Sequence, residues 1–227
     1  VVQFQESVLG GGDSNMMNAN FVTQYFQIPG IEANFAQGGR GFSRVIPNKY
    51  LLDLLAEDAN DTRDDNTYFR LKYYYTSGEK LGQEIDIYKP ISADNPKGVE
   101  YKRYYQRLHP SCIKFSPTEG DPNSYKQRTN IMVYRLAETY LIAAEAIMRS
   151  SGDPLPYVNA IRTRAKAAPV TAVTEQVILD ERARELSFEG QRWFTLKRMG
   201  QSVINRQITN YAGDGQYFPA NFGGSKD

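Results

Sequence analysis

The sequence predicts a helical packing unit, an α-hairpin followed by a third helix, preceded by a loop-rich region with short extended pieces. The two parts of the chain differ in the periodicity of their apolar residues and in amino-acid composition, and these differences predict the division. From residue 131 to residue 200, apolar side chains recur every three to four residues, which is the repeat of one buried helical face. Residues 1–130 are irregular and rich in Gly, Asn, Asp and Tyr. We therefore expect a loop-rich region over 1–130 and a helical region over 131–227, both parts of one domain.

Glycine and asparagine dominate the start of the loop-rich region. Apolar and polar residues alternate loosely over residues 2–8, which predicts a strand. The segment GGGDSNMMNANF that follows predicts a loop. A second glycine-rich stretch, at 35–46, lacks the G-x-G-x-x-G spacing and predicts no phosphate-binding turn. Pro47 suits the first turn of a short helix, because its missing N–H has no partner there. The apolar face of that helix would consist of Leu51, Leu52, Leu54 and Leu55.

A strand is predicted where apolar and polar side chains alternate over residues 68–75. Ser77-Gly78 then predicts a turn into a partner strand near Gln83–Tyr88. Residues 89–128 are expected to form loop with short extended pieces. The region before residue 131 therefore contributes few regular elements.

The helical region is predicted to contain three capped helices. The first ends at Gly152, since glycine readily adopts the left-handed conformation that closes a helix. Asp153 caps the second helix and Pro154 occupies its first turn. Thr174 caps the third, which Gly190 ends or interrupts. The apolar stripe of the third helix is expected to continue through Trp193, Phe194 and Leu196, with Trp193 in the core.

Composition narrows the class of function. The 227 residues include 27 Lys plus Arg and 26 Asp plus Glu, and this balance argues against a general nucleic-acid surface. One cysteine, Cys112, excludes an internal disulfide framework and a multi-cysteine zinc site. The one histidine, His109, is expected to be a surface or hydrogen-bonded residue rather than a catalyst. No apolar run approaches the ~20 residues that span a bilayer.

Three glutamates at four-residue spacing, Glu181, Glu185 and Glu189, share one helical face and resemble an active site. A metal face, a general acid/base pair and structural ion pairing are the three alternatives. No histidine lies in this region to complete a di-iron set, and no catalytic partner is recognisable. We favour ion pairing, because arginines stand three residues from each glutamate. The expected partners are Arg182, Arg184 and Arg192 within the helix, and Arg135, Arg162 and Arg164 from neighbouring helices. A second cluster of carboxylates, Asp61, Asp64 and Asp65, lies elsewhere in the chain, in the segment NDTRDDN, which predicts a solvated turn.

Three motifs of the helical region occur in an order that resembles one known family. The segments VYRLAETYLIAAEA (133–146), VNAIRTRA (158–165) and ILDERARELSFEGQRWFTLKRMG (178–200) together resemble the SusD/RagB family. A fourth segment, residues 46–63, resembles the family's P-x-x-x-L-x-D…D-x-R stretch. Thr195 stands where the family often has Asp. The matching positions are Pro47, Leu51, Asp53, Asp61, Arg63, Arg135, Ala137, Glu138, Asn159, Ile161, Arg162, Arg164, Ala165, Glu181, Arg182, Glu185, Leu186, Phe188, Glu189, Gly190, Arg192, Trp193, Phe194, Leu196, Arg198 and Gly200.

The resemblance implies a mainly α fold of tetratricopeptide-like helix pairs with long loops and a few short β-strands. It implies a surface-exposed lipoprotein of the outer membrane that captures oligosaccharide and passes it to a SusC-like TonB-dependent transporter. It also implies a binding protein and not an enzyme, with no cofactor, metal or nucleic-acid partner. Since the chain carries neither a signal peptide nor a lipidated N-terminal cysteine, we expect it to correspond to the C-terminal portion of such a protein. A membrane would then be reached only through a lipid anchor outside this chain.

The ligand is expected to meet loops of region 1–130, because sugars are bound by aromatic rings together with Asn, Asp and Arg side chains. The candidate ligand-binding residues are Asn18, Asn20, Tyr25, Phe26 and Arg40. Family motifs do not include ligand-binding positions, so these candidates rest on residue chemistry alone. Three alternatives stay open: a peptide-binding member of the family, a glycan-active enzyme, and a helical-repeat module that binds a protein.

Overall fold

The computed structural model describes residues 15–64, 67–85, 108–118, 120–127, 129 and 131–211. The described chain falls into two compact units. We call them the loop unit, made of the described residues of 2–47 and 65–131, and the helical unit, made of the described residues of 48–64 and 132–217. The segment 48–64 therefore clusters with the helices that follow residue 131, although it lies within the loop-rich part of the sequence.

The loop unit contains one short helix and four two-residue strands. Helix α1 spans Met17–Phe21, and single 3₁₀ turns follow at Tyr25–Gln27 and Phe35–Gln37. The strands are β1 (Phe69–Arg70), β2 (Tyr73–Tyr74), β3 (Glu84–Ile85) and β4 (Ser111–Cys112). Both strand pairs are antiparallel, β1 with β4 and β2 with β3. The core that they surround contains Val22, Tyr25, Ile28, Ile31, Tyr73 and Leu108.

The predicted strand over 68–75 is two strands that pair with different partners. Its second part forms the predicted hairpin, in which Tyr73 lies opposite Ile85 and Gly78 adopts a φ of +75°. Its first part pairs instead with β4. The strand expected over 2–8 and the end of the partner segment, 86–88, lie outside the described residues.

Six helices build the helical unit: α2 (Lys49–Ala56), α3 (Leu136–Arg149), α4 (Leu155–Arg164), α5 (Glu175–Leu186), α6 (Arg192–Met199) and α7 (Gln201–Tyr211). Helix α5 is central, because it contacts α2, α3 and α6. Leu141, Ile161 and Leu186 join α3, α4 and α5 in one apolar cluster. A second cluster of Leu179, Leu196 and Val203 joins α5, α6 and α7. The mainly α fold of helix pairs with a few short strands is confirmed.

The helix ends agree with the sequence at one cap and differ at three others. Thr174 caps α5 and accepts a hydrogen bond from the Val177 N–H. At α4 the N-cap is Pro154 and not Asp153, although the Asp153 carboxylate accepts from the Leu155 N–H. Asn48, not Pro47, begins α2, because its side chain accepts from the Leu51 N–H at 3.1 Å. After α3, Ser151 takes the left-handed conformation expected of Gly152, with a φ of +63°. Gly152 is needed for space, since an added Cβ would lie 2.7 Å from Ile147 Cγ2.

Trp193 does not lie in the core. Its side chain is 51% exposed and that of Phe194 is 66% exposed. Helix α6 is only eight residues long, and Leu196 and Met199 take the face that packs on α5 and α7. Trp193 and Phe194 therefore lie on the exposed face of α6. Of the helices that the structure describes, none combines the length and apolarity needed to cross a membrane.

Candidate functional site

The three glutamates of α5 are held by arginines. Glu181 and Glu185 are fully buried. The guanidinium of Arg63 lies 2.6 Å from Glu181 Oε1 and 3.2 Å from Glu185 Oε2. Arg135 reaches Glu185 and Glu189, each at 2.7 Å. These residues, with Asp61, Arg162, Arg164 and Arg184, form a charge network centred on the two buried glutamates.

The charge network stabilises the ionised form of Glu185. Burial by itself would raise the pKa of Glu185, but the guanidiniums of Arg135, Arg164 and Arg63 hold it below its usual range. Since a general acid or base needs a pKa near the working pH, Glu185 is unsuited to proton transfer. The structural interpretation of the glutamates is confirmed.

The partners in this network come mainly from outside α5. Arg184 reaches Glu181 at 3.4 Å, the one expected contact within the helix that the described geometry provides. Arg182 instead donates to Thr195 Oγ1, and Arg192 donates to the Leu179 carbonyl and to Gln207. Because the glutamates face the helices packed around α5, arginines from those elements reach them best. Neighbouring helices supply Arg162 to Glu181, and Arg135 and Arg164 to Glu185.

Arg63 is the residue that sequence reasoning missed in this network. It is 1% exposed, and it also pairs with Asp61 at 2.6 Å. Asp61 is 3% exposed, so the prediction of a solvated turn is wrong for this residue. The D-x-R pattern at 61–63 was the available signal, because an aspartate two residues before an arginine can pair with it locally. Among the described residues, no group of three or more His, Cys, Asp or Glu is arranged to hold a metal ion.

His109 is buried and hydrogen-bonded. Its Nε2 lies 2.7 Å from Ser43 Oγ and its Nδ1 lies 2.8 Å from the Pro110 carbonyl. The contact with a carbonyl requires a proton on Nδ1, so Nε2 accepts from the serine hydroxyl. Burial lowers the pKa of His109 to about 4, which keeps the ring neutral at pH 7. Ser43 itself adopts a left-handed conformation with a φ of +60°.

Two of the five predicted ligand-binding residues lie beneath the surface of the loop unit. Asn18 is 1% exposed, donates to the Gly38 carbonyl at 2.8 Å and accepts from Ser116 Oγ at 3.0 Å. Tyr25 is fully buried, and its hydroxyl both donates to and accepts from the backbone of Asn34. Burial raises the pKa of Tyr25 to about 12. Both side chains therefore support the loop 34–44 from within.

The other three predicted residues, Asn20, Phe26 and Arg40, belong to a partly exposed array. The guanidinium of Arg40 lies over two rings, 4.9 Å from the centroid of Phe26 and 4.6 Å from that of Tyr125. Tyr125 stacks on Phe42 with centroids 4.1 Å apart and ring planes 13° apart. The guanidinium of Arg44 covers Phe42 at 4.5 Å. We call these five residues the guanidinium–aromatic stack: Phe26, Arg40, Phe42, Arg44 and Tyr125.

Amide groups flank the guanidinium–aromatic stack at both arginines. Arg40 donates to the Asn123 carbonyl at 3.3 Å, and Arg44 donates to the side-chain oxygen of Asn20 at 3.2 Å. Both ring faces of Phe42 are covered, one by Tyr125 and the other by Arg44, because two groups at these distances cannot share a face. The array therefore offers ring edges, amides and guanidinium N–H groups to a ligand.

Backbone contacts fix the segment that carries the stack. The N–H groups of Phe42 and Ser43 donate to the carbonyls of Ala19 and Val22. Gly41 lies against the same segment so closely that an added Cβ would overlap the Val22 carbonyl. Side chains at alternate positions, 40, 42 and 44, consequently enter the stack. Sequence reasoning missed Phe42, Arg44 and Tyr125; the alternating R-G-F-S-R pattern was the signal for the first two.

The helical unit has a separate concavity of about 550 Å³ at the start of α3. Its walls are mostly apolar and include Tyr134, Leu136 and Tyr140. Arg135 and Arg164 also line it, and both pair with Glu185. The concavity therefore combines an apolar surface with guanidinium groups that already pair with Glu185.

Comparison with known proteins decides the family. A model of the SusD family matches residues 8–223. The chain belongs to the SusD family. The starch-binding protein SusD of Bacteroides thetaiotaomicron is 40% identical over 99 residues, which cover 42% of this chain and 18% of SusD. SusD-like protein P2 of Formosa agariphila is 29% identical over 181 residues, covering 71% of this chain and 32% of that protein.

Solved structures share the SusD fold. The surface glycan-binding protein A from Bacteroides thetaiotaomicron, in complex with laminarihexaose, superposes with a TM-score of 0.51 at 20% identity. The match covers 84% of this chain and 38% of that one. The chain thus spans between about a fifth and about a third of the length of its two curated relatives.

Proposed function

We propose that this chain binds glycans at the surface of the loop unit, as part of a SusD-family nutrient-capture protein. Family membership supports a binding role, since the relatives whose names describe an activity are named for binding starch or glycan. The guanidinium–aromatic stack is the observation that carries the proposal to particular residues. Asn20, Phe26 and Arg40 contact a ligand in this proposal, whereas Asn18 and Tyr25 support the loop that presents them.

The chemistry of the stack suits a sugar. Guanidinium and amide N–H groups donate to hydroxyl oxygens, and ring edges pack against C–H groups. The stacked rings hold the guanidiniums in fixed positions, so binding costs little side-chain entropy. Both Phe26 and Arg40 are half-buried, which leaves them accessible and ordered.

A polysaccharide panel tests this proposal by affinity electrophoresis, with calorimetry for any glycan that retards the protein. We expect Phe26→Ala and Arg40→Ala each to weaken binding about tenfold, equivalent to ~1.4 kcal/mol. Trp193→Ala is the comparison variant, because it removes an exposed ring from the helical unit. A loss of binding in Trp193→Ala alone would move the site to α6, and folded protein that binds no glycan would refute the proposal.

Two alternative functions, peptide binding and glycan hydrolysis, would give different results with the same protein and ligands. A peptide-binding member would bind a peptide mixture and no glycan. A glycan-active enzyme would release reducing ends from the bound polysaccharide, whereas we expect none to appear. Incubation of the retarded glycans with the protein, followed by a reducing-end assay, separates binding from hydrolysis.

We further propose that the bound glycan passes to a SusC-like TonB-dependent transporter at the outer membrane, to which a lipid anchor would attach the protein. The family resemblance supports this step. A transporter gene beside the gene for this protein, and stable co-purification of the two products after co-expression, are the expected results. A locus without such a gene would contradict the hand-over while leaving glycan binding intact.

A further inference from the structure

The arginines of the guanidinium–aromatic stack differ from those of the helical unit in their partners. Arg40 contacts two rings and the Asn123 carbonyl, and Arg44 contacts one ring and the Asn20 amide. Within the described residues, neither guanidinium has a carboxylate within ion-pair distance. Arg63 and Arg135, by contrast, each pair with two or more carboxylates. The stack therefore carries positive charge that no carboxylate of the described residues neutralises.

The rings hold these charges without satisfying their donors. An aromatic face attracts a cation, but it accepts few hydrogen bonds from a guanidinium edge. Arg40 Nε is buried and, among the described atoms, has no hydrogen-bond partner. Arg44 is exposed and Arg40 half-buried, so the outer N–H groups of both guanidiniums can meet an acceptor from solvent. A charged acceptor forms the stronger hydrogen bond with such a donor.

Neighbouring charges on the same surface do not cancel the two arginines. Lys126 follows Tyr125 and adds a third exposed cation. Asp121 is the one described carboxylate in this loop, and its Oδ1 accepts from the Asn123 N–H at 2.9 Å. The described surface around the stack is consequently positive, although the whole chain has a net charge of only +1.

The spacing of the charges is fixed by the stack itself. Phe42 and Tyr125 lie between Arg40 and Arg44, in parallel contact at 4.1 Å. Each guanidinium sits on the outer face of this ring pair. A chain with repeated anionic groups can therefore engage both guanidiniums at once, and multivalent contact of this kind strengthens binding without new surfaces.

We infer that the ligand is an anionic glycan, whose carboxylate or sulfate groups are neutralised by Arg40 and Arg44. This inference rests on the proposed glycan-binding function and names the class of glycan. Guanidinium groups form bidentate hydrogen bonds with both anions, so the shared chemistry is an oxyanion on a sugar chain.

The test uses pairs of polysaccharides that differ only in charge. Polygalacturonate is compared with its methyl-esterified form, and dextran sulfate with dextran, by calorimetry on the 227-residue chain. The inference requires one anionic member to bind at least about tenfold more tightly than its neutral partner, or ~1.4 kcal/mol. The pair that shows the preference identifies carboxylate or sulfate as the recognised group.

Substitutions assign the preference to the stack. Arg40→Gln and Arg44→Gln should each weaken binding of the anionic glycan about tenfold, while the neutral partner changes far less. Lys80→Gln is the matched control, since Lys80 lies 5.4 Å from the Tyr75 ring in the same unit. Lowering the Debye length from about 30 Å to about 8 Å with salt should erode the preference.

Each other outcome overturns the inference in a distinct way. Equal binding of charged and neutral partners retains the proposed glycan-binding function and removes the anionic class. Polyglutamate that binds as well as the glycans, with the same dependence on Arg40 and Arg44, would indicate a general polyanion surface. Absence of binding to all four polysaccharides, with no binding elsewhere in the panel, removes both proposals.

Discussion

The two units use arginine in opposite ways. In the helical unit, arginines from α3, α4, α5 and the segment 48–64 converge on carboxylates that are almost entirely buried. In the loop unit, Arg40 and Arg44 lie on aromatic rings near the surface. Paired charge fixes the positions of helices, whereas the charges of Arg40 and Arg44 have no described carboxylate partner and are the ones that the proposed site offers to a ligand. The difference teaches that a dense cluster of charged residues, such as the one on α5, can consist of ion pairs that hold the fold together.

Removing a guanidinium tests this contrast most strongly in the helical unit. Arg63→Ala should lower the free energy of unfolding by about 3–5 kcal/mol, because Asp61, Glu181 and Glu185 then lose a shared buried partner. Arg206→Ala is the control in the same unit, since its side chain is 48% exposed and its ion pair is long, at 4.0 Å. We expect the control to change stability by less than about 1 kcal/mol in chemical denaturation. If both substitutions lowered the free energy of unfolding equally, buried ion pairs would contribute no more to stability than surface pairs, and the contrast would be wrong.

Stability of the loop unit should instead depend on neutral hydrogen bonds. Asn18→Ala removes a donor to Gly38 and an acceptor for Ser116, and we expect a loss of about 2–3 kcal/mol in the free energy of unfolding. Asn20→Ala, at a more exposed position, should cost less than about 1 kcal/mol. Similar denaturation midpoints for the two variants would contradict the supporting role assigned to Asn18.

A smaller effect should follow from pH. His109 has a folded-state pKa of about 4, below the ordinary value of 6.5, so the unfolded chain binds more protons between these values. Stability is therefore fully present above pH 6.5 and falls as the pH drops toward 4. From pH 6.5 to pH 5 the loss should be about 1.5 kcal/mol.

His109 is the chain's one histidine, so no other imidazole contributes to the change in stability between pH 6.5 and pH 4. Denaturant unfolding across the window should show the loss in the native chain and a nearly flat profile in His109→Gln. An unchanged slope in the variant would assign the effect to carboxyl groups instead.

Periodicity predicted α2 to α5 well because their apolar faces are continuous and their caps are local. Thr174 accepts from the N–H three residues ahead, so a few residues of sequence contain the whole interaction. The motifs of the helical region also identified the family, which the match over residues 8–223 confirms.

Contacts between distant segments could not be predicted in the same way. Arg63 lies 118 residues from Glu181 in the chain, and Tyr125 lies far from Phe42, so no local pattern links them. The prediction that Trp193 lies in the core is wrong, because it continues the apolar stripe of α5 across Gly190, whereas α6 is a separate helix with its buried face at Thr195 and Leu196. The five ligand-binding residues stay a prediction, now divided by burial into supporting and accessible groups.

The backbone attachment of the segment 40–44 at Gly41 determines which of its positions tolerate substitution. The fit of Gly41 against Val22 and the hydrogen bonds of residues 42–45 to residues 19–22 depend on the main chain and on one small residue. Positions 40, 42 and 44 can therefore be exchanged by mutation while the attachment of the segment persists. In the proposed site, substitutions at these three positions would alter the preference for a ligand.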